Sequence, residues 1–279
     1  MTSVKKALLI FPVLALAAAL SACSQNREAA GILLRAEAEG RPVPLLSARY
    51  SDMDLAMAYG VQKAYVQKKL AAEKTAGFKA GLTSRGGQKR FGVDAPVAGV
   101  LFESGKLTGR ASVDPKAFKR LMMETEIGFF VAAPLKKPVS DAGALRAFIR
   151  EAAPVIELPD LGFADLKTLK GTDIIAGNAA ARQFIVGAPR SVDDFDLNAV
   201  TVSLTRDGRE INRGKGSEAS GDQWRALLWL VNTMIGQGWE LEPGHILLTG
   251  ALGKMLPGKP GKHVADYGDF GKIAFEIQP

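Results

Sequence analysis

Met123-Glu124-Thr125-Glu126-Ile127-Gly128-Phe129-Phe130-Val131 constrains this chain more than any other stretch. Thr125, Ile127, Phe129 and Val131 alternate with Glu124, Glu126, Gly128 and Phe130. That is the period of a strand with its apolar residues mostly on one face. Glu124 and Glu126 then project from the same side, roughly 6.6 Å apart along a strand rising about 3.3 Å per residue. Two carboxylates so close repel unless a positive group lies between them, and a divalent cation is the simplest such group. A third carboxylate, Glu157, lies in the short apolar run Pro154-Val155-Ile156-Glu157-Leu158. Three carboxylates with no cysteine or histidine nearby describe a hard oxygen site for Mg²⁺ or Mn²⁺, not zinc. On spacing alone such a pair on a strand is usually a solvated face, since exposed carboxylates are the default.

The amino terminus reads separately from the rest. Lys5 and Lys6 precede an apolar run over 7–20, followed by Ser21-Ala22-Cys23. The run is short for a membrane span and suits the h-region of a signal peptide. Leu20-Ser21-Ala22-Cys23 resembles the bacterial lipobox, which implies cleavage before Cys23 and lipid on its sulfur. Ser24, not aspartate, follows the cysteine, a pattern that implies sorting to the outer membrane in enteric bacteria. The expected organisation is a signal peptide over 1–22, a tether over 23–48 and a main folded domain over 49–279. Cys23 is the only cysteine, so the mature chain has no disulfide and depends on its core. Loss of Lys5 and Lys6 lowers the formal net charge from +7 to a mild +5. No basic run interleaved with aromatics points to nucleic acid.

Within the expected domain, Ser51 and Asp54 open a helix carrying Leu55, Ala58, Val61 and Tyr65 and running to about residue 74. Gly77 to Ser84 reads as a short strand leading into a glycine-containing loop, and 97–102 reads as another strand. Ser140 is expected to open a helix with Leu145, Phe148 and Ile149. Arg206-Asp207-Gly208-Arg209 marks a hairpin turn. Ser220 and Gln223 begin the clearest helix, whose Trp224, Leu227, Leu228, Val231 and Ile235 form a buried stripe. Residues 245–250 and 272–277 are strands. The chain has only two histidines, His245 and His263. It has no G-x-S-x-G, H-E-x-x-H, C-x-x-C or G-x-G-x-x-G after a strand, so nothing marks the chemistries those motifs carry.

These residues resemble a family. Gly77-Phe78-Lys79-Ala80-Gly81-Leu82-Thr83-Ser84, then Gln88, then Gly92-Val93-Asp94-Ala95-Pro96 look like the start of the 2-keto-4-pentenoate hydratases. The two glutamate segments match that family's metal-binding stretches. Asp173-Ile174-Ile175-Ala176-Gly177-Asn178 and the segment from Leu241 to Gly253 match later ones, in order. The resemblance extends to 4-oxalocrotonate decarboxylases and, more broadly, to the fumarylacetoacetate hydrolase superfamily.

The resemblance implies an α+β fold, a mixed β-sheet roll of the fumarylacetoacetate hydrolase type with a helical N-terminal part. It implies a homo-oligomer and an Mg²⁺ or Mn²⁺ site held by Glu124, Glu126 and Glu157. Lys79 would transfer protons, with its pKa lowered by the neighbouring cation. Gln88, Asn178 and Thr249 would touch substrate, a small 2-oxo acid, or position water. Four departures stand out: Val97 and Gly177 where aspartates are expected, Gly162 for an arginine, and Ala180 for a serine. The expected function is hydration of a 2-hydroxydienoic acid such as 2-hydroxypenta-2,4-dienoate. The rivals are decarboxylation or acylpyruvate C–C hydrolysis on the same scaffold, and a non-catalytic periplasmic lipoprotein.

Overall fold

The structure is a computed structural model that describes residues 10–108 and 111–279, with side chains from residue 22 onward. Three helices come first: α1 (Ile10–Ala38), α2 (Leu46–Arg49) and α3 (Leu55–Lys69). Asp54 caps α3 by accepting from the Met57 N–H at 2.8 Å, satisfying a donor that the first helical turn leaves without a partner. The helix stops at Lys69, short of the expected residue 74.

Strand β1 (Thr75–Gly81), the short helix α4 (Arg85–Phe91) and β2 (Val97–Phe102) follow. Next come β3 (Lys106–Leu107), β4 (Ala111–Val113), β5 (Met122–Val131), α5 (Ala142–Leu145) and β6 (Ile149–Leu158). Helix α6 (Gly171–Ala176), β7 (Gln183–Val186), β8 (Arg190–Ser191), β9 (Thr201–Arg206) and β10 (Arg209–Lys215) continue the chain. Helix α7 (Gln223–Gly236), β11 (Ile246–Leu248), β12 (Leu256–Pro257), β13 (Gly261–Asp266) and β14 (Lys272–Ile277) complete it.

One sheet runs β2-β1-β11-β5-β6-β7-β3, with β12 added on β5 and β8 on β6. A second runs β10-β9-β13-β14-β4. Both are mixed, since β1–β11, β3–β7 and β14–β4 pair in parallel. This is the α+β fold with curled mixed sheets expected from the sequence. The alternation in β5 decides its two faces. Ile127 and Phe129 are buried on the side of α7, where Phe129 meets Trp224 with ring centroids 5.4 Å apart. Glu124 and Glu126 point the other way. The expected hairpin is present, with Asp207 and Gly208 at φ 50° and 78° between β9 and β10, both left-handed as a type I′ turn requires.

Two expected elements differ. The helix expected from Ser140 is instead capped by Asp141 and runs only over Ala142–Leu145, and Ile149 begins β6, paired with Val131. The eight-pair ladder to β5 takes Ile149 from a helix that has only a short apolar stripe to offer. The expected tether also differs, because much of 23–48 is the last part of α1. Ala29, Ala30, Leu33 and Ala36 are buried in the core, and α1 packs along α3. Most of the expected signal peptide lies outside the described side chains. Among the described residues, no helix is long and apolar enough to cross a membrane.

Candidate active site

Register brings the three glutamates together. In the antiparallel β5–β6 ladder Glu124 stands opposite Glu157, and Glu126 opposite Val155. Residues paired across a ladder share a face, as do residues two apart on a strand. One oxygen from each of Glu124, Glu126 and Glu157 lies within 4.8 Å of the other two. Lys79 reaches the same face from β1, through the row Lys79, Leu248 and Gly128. Gly128 is required there: a Cβ would come 2.8 Å from both Ile246 Cδ1 and Val155 Cγ2.

Glu126 and Glu157 have no exposed surface, and Lys79 is 3% exposed. Lys79 Nζ donates to Glu157 Oε1 and, at 3.2 Å, to the Ala179 carbonyl. The Gly250 N–H donates to Glu126 Oε2 at 2.8 Å. Glu126 Oε1 and Glu157 Oε2 are buried without a hydrogen-bond partner. Buried polar atoms are rarely left so, and two carboxylate oxygens on one face, beside a third carboxylate, fit a hard cation. Burial and then Glu157 push the Glu124 carboxyl up to about 7. Burial, Glu157 and Glu124 hold Glu126 well above the usual range. Burial works against the charged form of Lys79, but Glu157, Glu124 and Glu126 outweigh it and raise its pKa. The fall expected from the sequence supposes a cation beside the lysine, whereas the charges that face it here are carboxylates.

The turn that meets Lys79 is strained. Asn178, Ala179 and Ala180 have φ of 56°, 50° and 57°, left-handed backbone that costs non-glycine residues energy and clusters at functional sites. Asn178 braces it: its Nδ2 donates to the Val100 carbonyl and its Oδ1 accepts from the Val100 N–H, both at 2.8 Å. Gln88 sits in α4, a helix not foreseen from the sequence, and donates to the Leu82 carbonyl at 2.9 Å. The buried Thr249 hydroxyl donates to Gln223 Oε1 at 2.6 Å and lies 3.1 Å from the Ile127 carbonyl. Among the described residues, none of Gln88, Asn178 and Thr249 hydrogen-bonds Lys79 or one of the three clustered glutamates.

Sequence reasoning missed Gln223. It reads as part of a helix-start signal, yet its side chain is buried, donates to the Gly216 carbonyl at 2.7 Å and accepts from Thr249. Thr249 precedes Gly250, whose N–H holds Glu126. A polar residue among the apolar positions of α7 was the available signal.

No protein-family model matches the chain. Individual relatives do. It is 30% identical over 239 residues to the 2-keto-4-pentenoate hydratase of Paraburkholderia xenovorans (strain LB400), covering 85% of this chain and 88% of that one. It is 32% identical over 237 residues to 2-keto-4-pentenoate hydratase 2 of Dechloromonas aromatica (strain RCB), covering 84% and 90%. The chain belongs to the 2-keto-4-pentenoate hydratase family. Among solved structures, this family member is similar to 4-oxalocrotonate decarboxylase from Pseudomonas putida G7, complexed with magnesium and adipate. The TM-score is 0.85 at 25% identity, over 91% of this chain and 97% of that one.

The four departures from the hydratase pattern are built into the packing. Val97 is buried in β2, opposite Gly81. A Cβ on Gly162 would lie 2.6 Å from Lys119 Cβ, and one on Gly177 3.0 Å from the Phe163 ring. The Ala180 carbonyl accepts from the Asp160 N–H at 2.9 Å. Restoring the larger residues expected at 162 and 177 therefore requires Lys119 and Phe163 to move.

Proposed function

We propose that the chain is a divalent-metal-dependent hydratase acting on a small 2-oxo or 2-hydroxydienoic acid such as 2-hydroxypenta-2,4-dienoate. The observation that carries this reading is the cluster of Glu124, Glu126 and Glu157, with two buried oxygens lacking partners, beside the buried Lys79. Glu124, Glu126 and Glu157 would hold Mg²⁺ or Mn²⁺, which would supply Lewis acidity at this face. Lys79, charged at neutral pH, delivers a proton to carbon of the dienol and takes up the proton lost from the enol hydroxyl, which gives the 2-oxo tautomer. Water then adds across the conjugated double bond, its hydrogen to one carbon and its hydroxyl to the other, so nothing is oxidised. Ile246, Leu248 and Val155 make the same face dry, which strengthens the field of the charged groups. Asn178 and Thr249 act through the backbone they hold, at Val100 and ahead of Gly250, and Gln88, on α4, would touch substrate.

A C–C bond-breaking reaction on the same enolate, as in a decarboxylase, is the second reading. Val97 and Gly177 favour it, because they remove acids that could activate water. The test is a spectrophotometric assay with 2-hydroxypenta-2,4-dienoate, with and without Mg²⁺ or Mn²⁺, beside Glu124→Ala. Metal-dependent loss of the dienol absorbance, absent in the variant, supports the enolising site, and product analysis separates hydration from the other outcomes. No turnover and no metal binding by calorimetry would sink the enzyme reading. Tight metal and oxalate binding without turnover would retain the chemistry and change the substrate.

We further propose that Cys23 carries lipid and that the protein, a homo-oligomer, faces the periplasm from the bacterial cell envelope, on the outer membrane. The lipobox-like sequence and the exposure of Cys23 support this. Because Ala29 is already buried, such an anchor would hold the folded unit close to the bilayer. Radiolabelled palmitate should enter the parent and not Cys23→Ser, and labelling of both would reject the anchor at this position.

A further inference from the structure

A cavity of about 180 Å³ lies between α1, α3, the turn before β5 and residues 177–182. Neither Lys79 nor any of the three metal-facing glutamates lines it. Five cations do, Arg41, Lys69, Lys116, Lys119 and Arg182, against two acids, Glu37 and Asp160.

Both acids are already committed. Glu37 accepts from Lys69 Nζ at 2.7 Å and from the Tyr65 hydroxyl at 2.6 Å, with Arg182 at 3.9 Å. Asp160 accepts the backbone N–H of Lys119 at 3.0 Å and of Arg120 at 2.7 Å. No salt bridge to Lys116 or Lys119 occurs among the described residues. Arg41 pairs with Glu39, and Lys69 also lies 3.8 Å from Glu73, so the uncompensated positive charge of the cavity is that of Lys116 and Lys119. Leu33, Val43, Phe102 and Phe118 supply an apolar wall.

We propose that this cavity binds a small aliphatic dicarboxylate, at a site separate from the metal centre and independent of metal. Uncompensated cations over a low-dielectric wall focus the field and concentrate anions. Arg182 offers a carboxylate a paired set of donors, and the apolar wall takes the methylenes. The volume corresponds to about six waters at ~30 Å³ each, room for a chain of about five carbons. An inorganic dianion would leave the apolar wall unused. The floor is Gly177, Ala180 and Ala181, so a ligand there sits against the strained turn whose Ala179 carbonyl holds Lys79.

The test is calorimetric titration of the full chain, stripped of metal with EDTA, using glutarate as the probe and sulfate as the comparison. The expected result is saturable binding of one glutarate, weakened at least ~tenfold, or ~1.4 kcal/mol, in the Lys119→Ala/Arg182→Ala double variant. Both side chains are exposed, and an unchanged melting temperature would show that the variant is folded. Glu124→Gln should bind glutarate as the parent does. Unsaturable or absent binding overturns the proposal, as does affinity that survives the double variant. Loss in Glu124→Gln would place the dicarboxylate on the metal centre and overturn the separate site. Equal affinity for sulfate would overturn the dicarboxylate assignment. Because no metal and no turnover are involved, these outcomes are independent of the proposed activity.

Discussion

Glu157 stands directly across the β5–β6 ladder from Glu124, and its Oε1 accepts from Lys79, the one lysine or arginine buried among the described residues. The pair is a charge balance that either partner alone would upset. Removing one member of a buried ion pair costs about 3–5 kcal/mol, because the other is left charged in a dry site. Glu157→Leu is expected to lower metal-free stability by about that amount in urea denaturation. Lys79→Met in the same background should recover most of the loss. If the double variant is no more stable than Glu157→Leu, the ion pair is not what the single substitution breaks.

The raised Glu124 carboxyl gives the protein a pH dependence of known sign. Between the ordinary glutamate value of 4.5 and about 7, the folded chain holds a proton that the unfolded chain has released. Metal-free stability from this group is therefore fullest at the acid end, falls as pH rises through that window, and levels off above it. Metal must displace this proton and the one that Glu126 holds, so its affinity should rise with pH by at least about tenfold per unit below 7. Melting in EDTA at acid and alkaline pH, with calorimetry of Mg²⁺ across the same range, checks both arms. Mg²⁺ affinity that does not vary with pH would exclude Glu124 as a titrating ligand.

The glutamate site was legible because a strand's period of two is a strong constraint. Once Ile127 and Phe129 face the core, Glu124 and Glu126 must share the opposite face, and only the β5–β6 register remained to place Glu157. Lys79 was legible through resemblance alone, since nothing in a lysine on a strand distinguishes an inward from an outward one. The roles of Asn178 and Thr249 were not legible. Their partners, Val100 and Gln223, lie 78 and 26 residues away in sequence, and no local pattern encodes which buried amide meets which backbone. The burial of α1 was hidden for a related reason. Ala29, Ala30 and Ala36 are too small to mark an apolar stripe, yet they let α1 approach α3 closely.

Gln223 reaches the glutamate cluster through Thr249 and Gly250, whose N–H donates to Glu126. Loss of groups that orient metal ligands typically costs 10–100-fold in metal affinity. Gln223→Leu and Thr249→Val are each expected to weaken Mg²⁺ binding by about tenfold in calorimetry, with Thr249→Ser close to the parent. A merely structural role would lower the melting temperature and leave the affinity of the folded fraction unchanged, which would remove Gln223 from the site.

Asn178 offers the sharpest separation of a structural role from a substrate contact. It covers β2, the strand at the end of its sheet, by pairing with both the N–H and the carbonyl of Val100. Asn178→Ala leaves those two buried groups without partners, at about 1–3 kcal/mol each. It also places alanine in left-handed backbone, which asparagine tolerates better. A stability loss of about 2–5 kcal/mol in urea is expected, with the KM of the folded fraction little changed. Asn178→Asp should not rescue it, because a carboxylate would face the Val100 carbonyl in place of the donor. If Asn178→Ala keeps the parent's stability and raises KM, the side chain turns to the substrate and the bracing role assigned to it is wrong.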